Sequence, residues 1–166
     1  MQTFKISPVI CSIVASFSPL ERPVSIDLKR YSGKWFVIAC IPTRFDDDWN
    51  YITETYTLLK DGNVDIRTRY RKKGKPEEQE VRSKGFPVEE EKGVWWKVQF
   101  IWPFKVNYVV EEIADDYSWV VIGHPKKKFL YIMSRNKTMN EELLARVKAQ
   151  CRVSGYDISK LRTVSQ

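Results

Sequence analysis

Few residues in this chain could carry out covalent chemistry. His124 is the only histidine, and it stands beside Pro125 and the run Lys126, Lys127 and Lys128. That is a poor setting for a general base. The cysteines at positions 11, 40 and 151 form no Cys-x-x-Cys pair. A structural zinc site needs about four soft ligands, so no metal is expected. Cys40 and Cys151 could bridge in an oxidising compartment, but two separate buried thiols are the preferred reading. There is no Gly-rich phosphate loop and no nucleophile–base pair, so no catalytic residue and no cofactor is expected. What remains is the chemistry of binding. The chain carries six Trp, eight Tyr and eight Phe and a formal net charge of +7. Such a load implies a dense core or an aromatic-lined cavity. The charge suits nucleic acid, anionic lipid or acidic ligands without choosing among them.

These residues need a scaffold. The 166 residues suit one domain, and 43% hydrophobic with 30% charged residues describes a globular chain. From Tyr31 onward, short β-rich runs alternate with turn signals. They are Trp35 to Ile41, Ile52 to Leu59, Val64 to Tyr70, Glu80 to Phe86, Val94 to Trp102, Tyr108 to Ile113, Ser118 to Gly123 and Phe129 to Arg135. Asp61-Gly62 between the second and third marks a tight hairpin. Eight runs without an intervening helix predict an all-β, antiparallel barrel or sandwich. One helix follows. Thr138 and Glu141 have capping-box spacing, Leu144, Val147 and Cys151 repeat at helical spacing beside Leu143, and Gly155 ends it. Its one-sided stripe predicts packing outside the sheet. Asp157 to Val164 offers a last short strand.

Residues 1–24 read as a leader and 25–166 as the domain. Ile6 to Phe17 is mostly apolar, but Pro8 interrupts it, and at about 12 residues it is too short to span a bilayer. Lipidation at Cys11 is disfavoured, because Ile10 precedes it where a small residue is wanted.

Strand side chains alternate between faces. One face collects Trp35, Val37 and Ala39, then Tyr56, then Ile66, Thr68 and Tyr70. To these it adds Trp96, Val98, Phe100 and Trp102, then Tyr108 and Val110, then Phe129, Tyr131 and Met133. An eight-stranded barrel can fill with such side chains or hold one small ligand, and both outcomes stay open on alternation alone. In an up-and-down meander, the loops after odd-numbered strands share one rim. Arg44, Arg71, Lys72, Lys73, Lys75, Lys105 and Lys126 to Lys128 make that rim basic, diluted by Asp46, Asp47, Asp48, Glu77 and Glu78. The opposite rim carries Asp61, Glu89, Glu90, Glu91, Asp115 and Asp116.

Gly33-Lys34-Trp35 resembles the lipocalin signature, and it has company. Asp27 to Tyr31 precedes it, and Ala39 to Phe45 follows. Phe100 to Phe104 with Tyr108, Leu130 to Arg135, and Gly155 to Lys160 complete the pattern. Together these resemble the bacterial lipocalin and apolipoprotein D-like branch, from Asp27 to Gln166. The resemblance implies an eight-stranded up-and-down barrel. It implies a closed end with Gly33, with Trp35, and with Arg135 packed across Trp35. It implies that Tyr56, Thr68, Phe100, Tyr108 and Tyr131 line a cavity, with the basic rim as the open mouth. It also implies an apolar ligand, such as a fatty acid or lysophospholipid, and a secreted, periplasmic or outer-membrane-associated protein. Glu112 departs from the pattern, because it falls on the inward phase of the sixth strand. A bulge that turns it outward is the preferred reading.

The expected function is therefore the binding, storage or transport of a small lipophilic ligand, with a role in membrane maintenance. The ligand-binding residues expected are Tyr56, Thr68, Tyr70, Trp96, Val98, Phe100, Trp102, Tyr108, Val110, Tyr131 and Met133, with Arg44, Lys72, Lys105 and Lys126 at the head group. Partners are that ligand and an anionic membrane surface, without nucleic acid, on a monomer or weak homodimer. Trp49 is read as a mouth residue. Two rivals stay open. One is a lipocalin-type enzyme using a thiol, against which Cys40 lies on the outward phase, opposite Trp35. The other is a filled barrel acting as an interaction module at an anionic surface.

Overall fold

A computed structural model describes residues 17–166. A single turn of helix, α1 (Leu28–Tyr31), leads into β1 (Gly33–Ile41). Seven more strands follow: β2 (Trp49–Leu58), β3 (Val64–Lys72), β4 (Glu78–Pro87), β5 (Trp95–Ile101), β6 (Phe104–Ile113), β7 (Trp119–Gly123) and β8 (Leu130–Ser134). Each pairs antiparallel with the next, and β1 closes the ring by pairing with both β8 and β2. Helix α2 (Glu141–Val153) and a two-residue strand, β9 (Arg162–Thr163), complete the order. The expected eight-stranded up-and-down barrel with one late helix is what forms. The leader reading covers residues 1–24, of which 1–16, Cys11 included, lie outside the described ones. Docking onto the domain begins by Leu20, whose N–H donates to Ser154 Oγ at 2.7 Å.

Turn chemistry sets the hairpins. Between β2 and β3, Gly62 adopts φ +80°, and the Asp61 carboxylate accepts hydrogen bonds from Asn63 N and Nδ2. Strand burial then follows from what covers each face. β7 and β8 are almost continuously buried, because the barrel interior lies on one side and α2 on the other. Val147 and Cys151 of α2 pack with Ala39, Ile41, Val121, Leu130 and Ile132, and Leu143 and Leu144 flank them. The helix starts two residues later than the sequence reading. Asn140, not Thr138, is the cap, and its side chain accepts from Leu143 N. Asn at this position satisfies an orphan N–H as well as Thr does.

Local register shifts decide which side chains face inward. A bulge adds one residue to one strand and reverses alternation beyond it. In β1 the shift falls between Val37 and Ala39, so Ala39 pairs with Ile132 and Cys40 with Tyr131. This corrects two sequence expectations. Ala39 packs outside, under α2, and Cys40 joins the interior cluster with Trp35 and Met133. The two cysteines thus occupy opposite faces of the wall, and both are free thiols. In β6 the shift between Val110 and Glu112 pairs Glu112 with Val121 on the outer face, where its carboxylate accepts from Glu21 N and Gln150 Nε2. The bulge expected there is present.

β1 and β2 separate above Phe36 and Thr53. The C-terminal segment fills that gap. β9 pairs with Ala39 and Cys40, Tyr51 N donates to Ser165 O, and Gln166 Nε2 donates to Val37 O and Ile52 O.

Candidate functional site

The lower half of the interior is solid. Tyr31, Trp35, Tyr56, Trp96 and Tyr108 are between 0% and 7% exposed. Tyr31 sets an edge against Tyr56, and Trp96 stacks on Tyr108 with ring centres 5.4 Å apart. Their hydroxyls are joined: Tyr108 Oη lies 2.7 Å from Tyr31 Oη and 2.9 Å from Tyr56 Oη. Beneath them the barrel is plugged. The Arg135 guanidinium lies 3.7 Å from the Trp35 ring centre and donates to the carbonyls of Arg30, Tyr31 and Lys34. Gly33, at φ +98°, passes so close that an added Cβ would stand 3.4 Å from Arg135 Nη1. Gly33, Trp35 and Arg135 therefore meet at one end.

The upper half differs. Glu54, Val81 and Tyr131 stand on inward positions yet keep accessible surface. A side chain inside a wall keeps such surface only where a hollow adjoins it. Glu54 is directly paired with Trp35 on one side and Thr68 on the other. Its carboxylate accepts from Tyr56 Oη. Burial pushes the Glu54 carboxyl up to about 7, with the Tyr56 hydrogen bond opposing and the charge of Asp46 adding to the rise. Asp46 is itself only 6% exposed. Its carboxylate accepts from Tyr131 Oη at 2.6 Å and Thr43 N at 2.7 Å. Arg162, opposite Cys40 and so on the inner face, donates to the carbonyls of Asp46 and Trp49. Trp49 stacks on Tyr70 at 3.5 Å between ring centres, at the mouth.

Of the residues expected to touch ligand, Tyr70, Trp96, Val98, Tyr108, Val110 and Met133 belong to the interior cluster. Tyr56 does too, and Tyr131 packs against it. Thr68 shares their face and is buried. Phe100 and Trp102 do not join them. A shift between Val98 and Ile101 places Ile101, not Phe100, opposite Phe104. Phe100 is 53% and Trp102 82% exposed, and both border a surface hollow with Arg82, Lys84 and Gln99. Arg44, Lys105 and Lys126 are exposed on loops or strand ends of the open rim, and Lys72 is half-buried opposite Trp49.

Sequence reasoning missed Glu54, Asp46 and Arg162. Two-residue periodicity from Tyr56 was enough to point Glu54 inward, but its charge reads as solvent-facing. Asp46 reads as one of three loop acids. Glu111 was missed as well. It is the added residue of the β6 bulge and is buried outside the barrel wall. Lys127, Tyr156 and Arg22 contact its carboxylate at 2.6–2.8 Å. Burial pushes its carboxyl up, but these hydrogen bonds outweigh burial and hold it below the usual carboxylate range.

The Cys40 thiol, now inward, has no activating partner. Burial pushes it up to about 12 against the pull of Arg162, which leaves a negligible thiolate fraction near neutral pH.

Comparison with known proteins agrees with this geometry. A family model described as a lipocalin-like domain matches residues 26–166. Temperature-induced lipocalin-1 of Arabidopsis thaliana is 33% identical over 156 residues, covering 89% of this chain and 83% of that protein. The outer membrane lipoprotein Blc of Vibrio cholerae is 27% identical over 164 residues, covering 95% and 96%. Among solved structures, insecticyanin from the tobacco hornworm superposes with a TM-score of 0.69 at 17% identity, over 90% of this chain and 86% of that one. This last likeness concerns the fold alone.

Proposed function

Because the chain belongs to the lipocalin-like family, we propose that its barrel binds and carries a small lipophilic molecule, with a fatty acid or lysophospholipid as the leading class. One observation carries this reading: Glu54, Val81 and Tyr131 keep accessible surface on inward positions above a solid aromatic floor, at the end of the barrel rimmed by basic loops. Tyr70, Val98 and Tyr131 would flank the acyl chain, and Trp96 and Tyr108 would bound it from below. Arg44, Lys72, Lys105 and Lys126 would attract an anionic head. The relatives named outer membrane lipoproteins support a periplasmic or outer-membrane-associated setting, and a part in membrane maintenance is proposed with it.

A dye-displacement titration with saturated fatty acids of increasing length tests this. Each buried methylene contributes about 0.8 kcal/mol, so affinity should rise roughly fourfold per carbon until the hollow is full. Absence of displacement by any fatty acid or lysophospholipid refutes the carrier reading.

A second observation favours contact with an anionic membrane. Phe45, Ile101, Trp102 and Phe104 are 71–83% exposed, and all lie on or beside the open rim, among Arg44, Lys105 and Lys126. Apolar side chains between cations match the interface of an anionic bilayer. Co-sedimentation with phosphatidylglycerol vesicles, absent with phosphatidylcholine and lost in a W102A/F104A variant, is the expected result.

A further inference from the structure

The cations along β3 and the loop that follows it fall into two groups. Arg67 and Arg69 are neutralised across the sheet, where they pair with Glu78 and Glu80 of β4 at 3.0–3.7 Å. Arg71, Lys72, Lys73 and Lys75, at the mouth end of the same hairpin, form no ion pair among the described residues. Glu78 is directly opposite Arg71, yet it turns to Arg69 instead, 3.7 Å away. The four cations gather around one hollow of about 390 Å³, which Asn50 and Tyr51 also line and no carboxylate does.

Backbone contacts hold this group together. The register shift in β2 between Asn50 and Thr53 contains Tyr51, at φ +53°, whose N–H donates to Ser165 O at 2.8 Å. The Tyr51 ring centre lies 5.0 Å from the Arg71 guanidinium. Lys73 N donates to Asp48 O, Lys75 N donates to Lys72 O, and Gly74 at φ +76° makes the turn between them. Like charges fixed side by side repel one another, and a bound anion relieves that repulsion. Arg71 is opposite Asn50 on the outer face, and Lys72 is opposite Trp49 on the inner one, so the hollow straddles the lip of the barrel. In ring order the β3–β4 loop stands between the β1–β2 loop, which carries Phe45, and the β5–β6 turn, which carries Trp102.

Resting on the membrane-contact reading above, we propose that this hollow is a binding site for a phosphate monoester, presented by a lipid head group of the bilayer that the rim meets. A phosphate monoester carries a charge of about −1.5 to −2 near neutral pH and three strong acceptor oxygens. The diester of other anionic phospholipids offers a single charge and one terminal oxygen fewer. The planar fork of Arg71 matches two phosphate oxygens, and the three lysines add point charges. The source is a bilayer because exposed apolar side chains flank the hollow on both sides. A long polyanion fits less well, since the free cations stop at the lip and those farther along β3 are neutralised.

Flotation with phosphatidylcholine vesicles tests this at pH 8, with phosphatidic acid or phosphatidylglycerol added to equal zeta potential. The unaltered protein should bind the phosphatidic acid vesicles about fivefold more tightly, the gain expected of one further charge contact at a membrane surface. In R71Q/K73Q/K75Q the two affinities should come within twofold of each other. The preference should survive in K29Q/K60Q/K137Q, which removes as many cations from the closed end. Glycerol 3-phosphate, a soluble monoester titrated calorimetrically without vesicles, should bind only in the millimolar range or weaker. A preference below threefold in the unaltered protein refutes the site and leaves membrane contact standing, and so does a preference that survives in R71Q/K73Q/K75Q. Micromolar binding of glycerol 3-phosphate, lost in that variant, overturns the lipid source. If neither kind of vesicle binds, the site and the membrane reading fall together.

Discussion

Replacing Glu54 with Gln should stabilise this protein, and only above the ordinary carboxylate range. Gln keeps the volume and an oxygen to accept from Tyr56, but it cannot ionise inside the barrel. In the folded chain burial lifts the Glu54 carboxyl from 4.5 to about 7. At 1.36 kcal/mol per pH unit, that rise corresponds to about 3 kcal/mol. The sign follows from proton counts. Below pH 4 the folded and unfolded chains both hold the proton, and Glu54 costs nothing. Between about 4.5 and 7 only the folded chain holds it, so stability falls as pH rises. Above 7 the loss is complete and constant. E54Q escapes this loss. In a domain of this size 1 kcal/mol moves Tm by about 2–4 °C, so E54Q should melt about 6–12 °C above the unaltered protein at pH 8 and within a degree or two of it at pH 4. Differential scanning calorimetry across that range, at constant ionic strength, makes the comparison. An equal offset at both ends would mean that Glu54 ionises in the folded protein as freely as in the unfolded one, and the enclosed carboxyl described above would be wrong.

Two further outcomes follow from the same contacts. Arg135→Ala removes the cation from the Trp35 face and leaves carbonyls of Arg30, Tyr31 and Lys34 without their donor. The cost in urea denaturation should be about 2–4 kcal/mol, and Arg135→Lys should recover less than half, because an ammonium cannot reproduce the planar fork. Glu111→Gln should cost about 1–2 kcal/mol at pH 7, where it removes the charge that Lys127 and Arg22 pair with. The folded carboxyl lies below its ordinary value, so this difference is present above the ordinary carboxylate range and should shrink as pH falls through the folded value. A difference that stays constant down to pH 3 would contradict the buried ion cluster.

Much of the architecture is legible because it depends on short-range signals. Asp61-Gly62 fixes a hairpin by the φ it permits, and the stripe of Leu144, Val147 and Cys151 marks a helix with one dry face. The run Trp119 to Gly123 is apolar at every position because both its faces are covered. Glu112 was legible for the opposite reason. A carboxylate on a core phase is a contradiction, and the contradiction pointed to the bulge that resolves it.

The aromatic face that suggested a barrel interior is partly a tertiary result. Period-two reading carries a strand's phase forward until an extra residue reverses it, and nothing local marks where the reversal falls. It falls where a neighbouring strand leaves the ladder: at Ile38, beside the gap that β9 fills, and beyond Val98, where β5 turns toward β6. That geometry turned Cys40 inward, Ala39 under the helix, and Phe100 and Trp102 out to the surface. The sequence by itself determined eight strands, a late helix and a basic rim, because spacing and turn chemistry act within a few residues, while the closed end at Trp35 followed from the family resemblance. Only the tertiary structure decided that Glu54, Asp46 and Arg162 face the hollow. Their burial depends on partners far along the chain, and a charged side chain carries no local sign that such partners will enclose it.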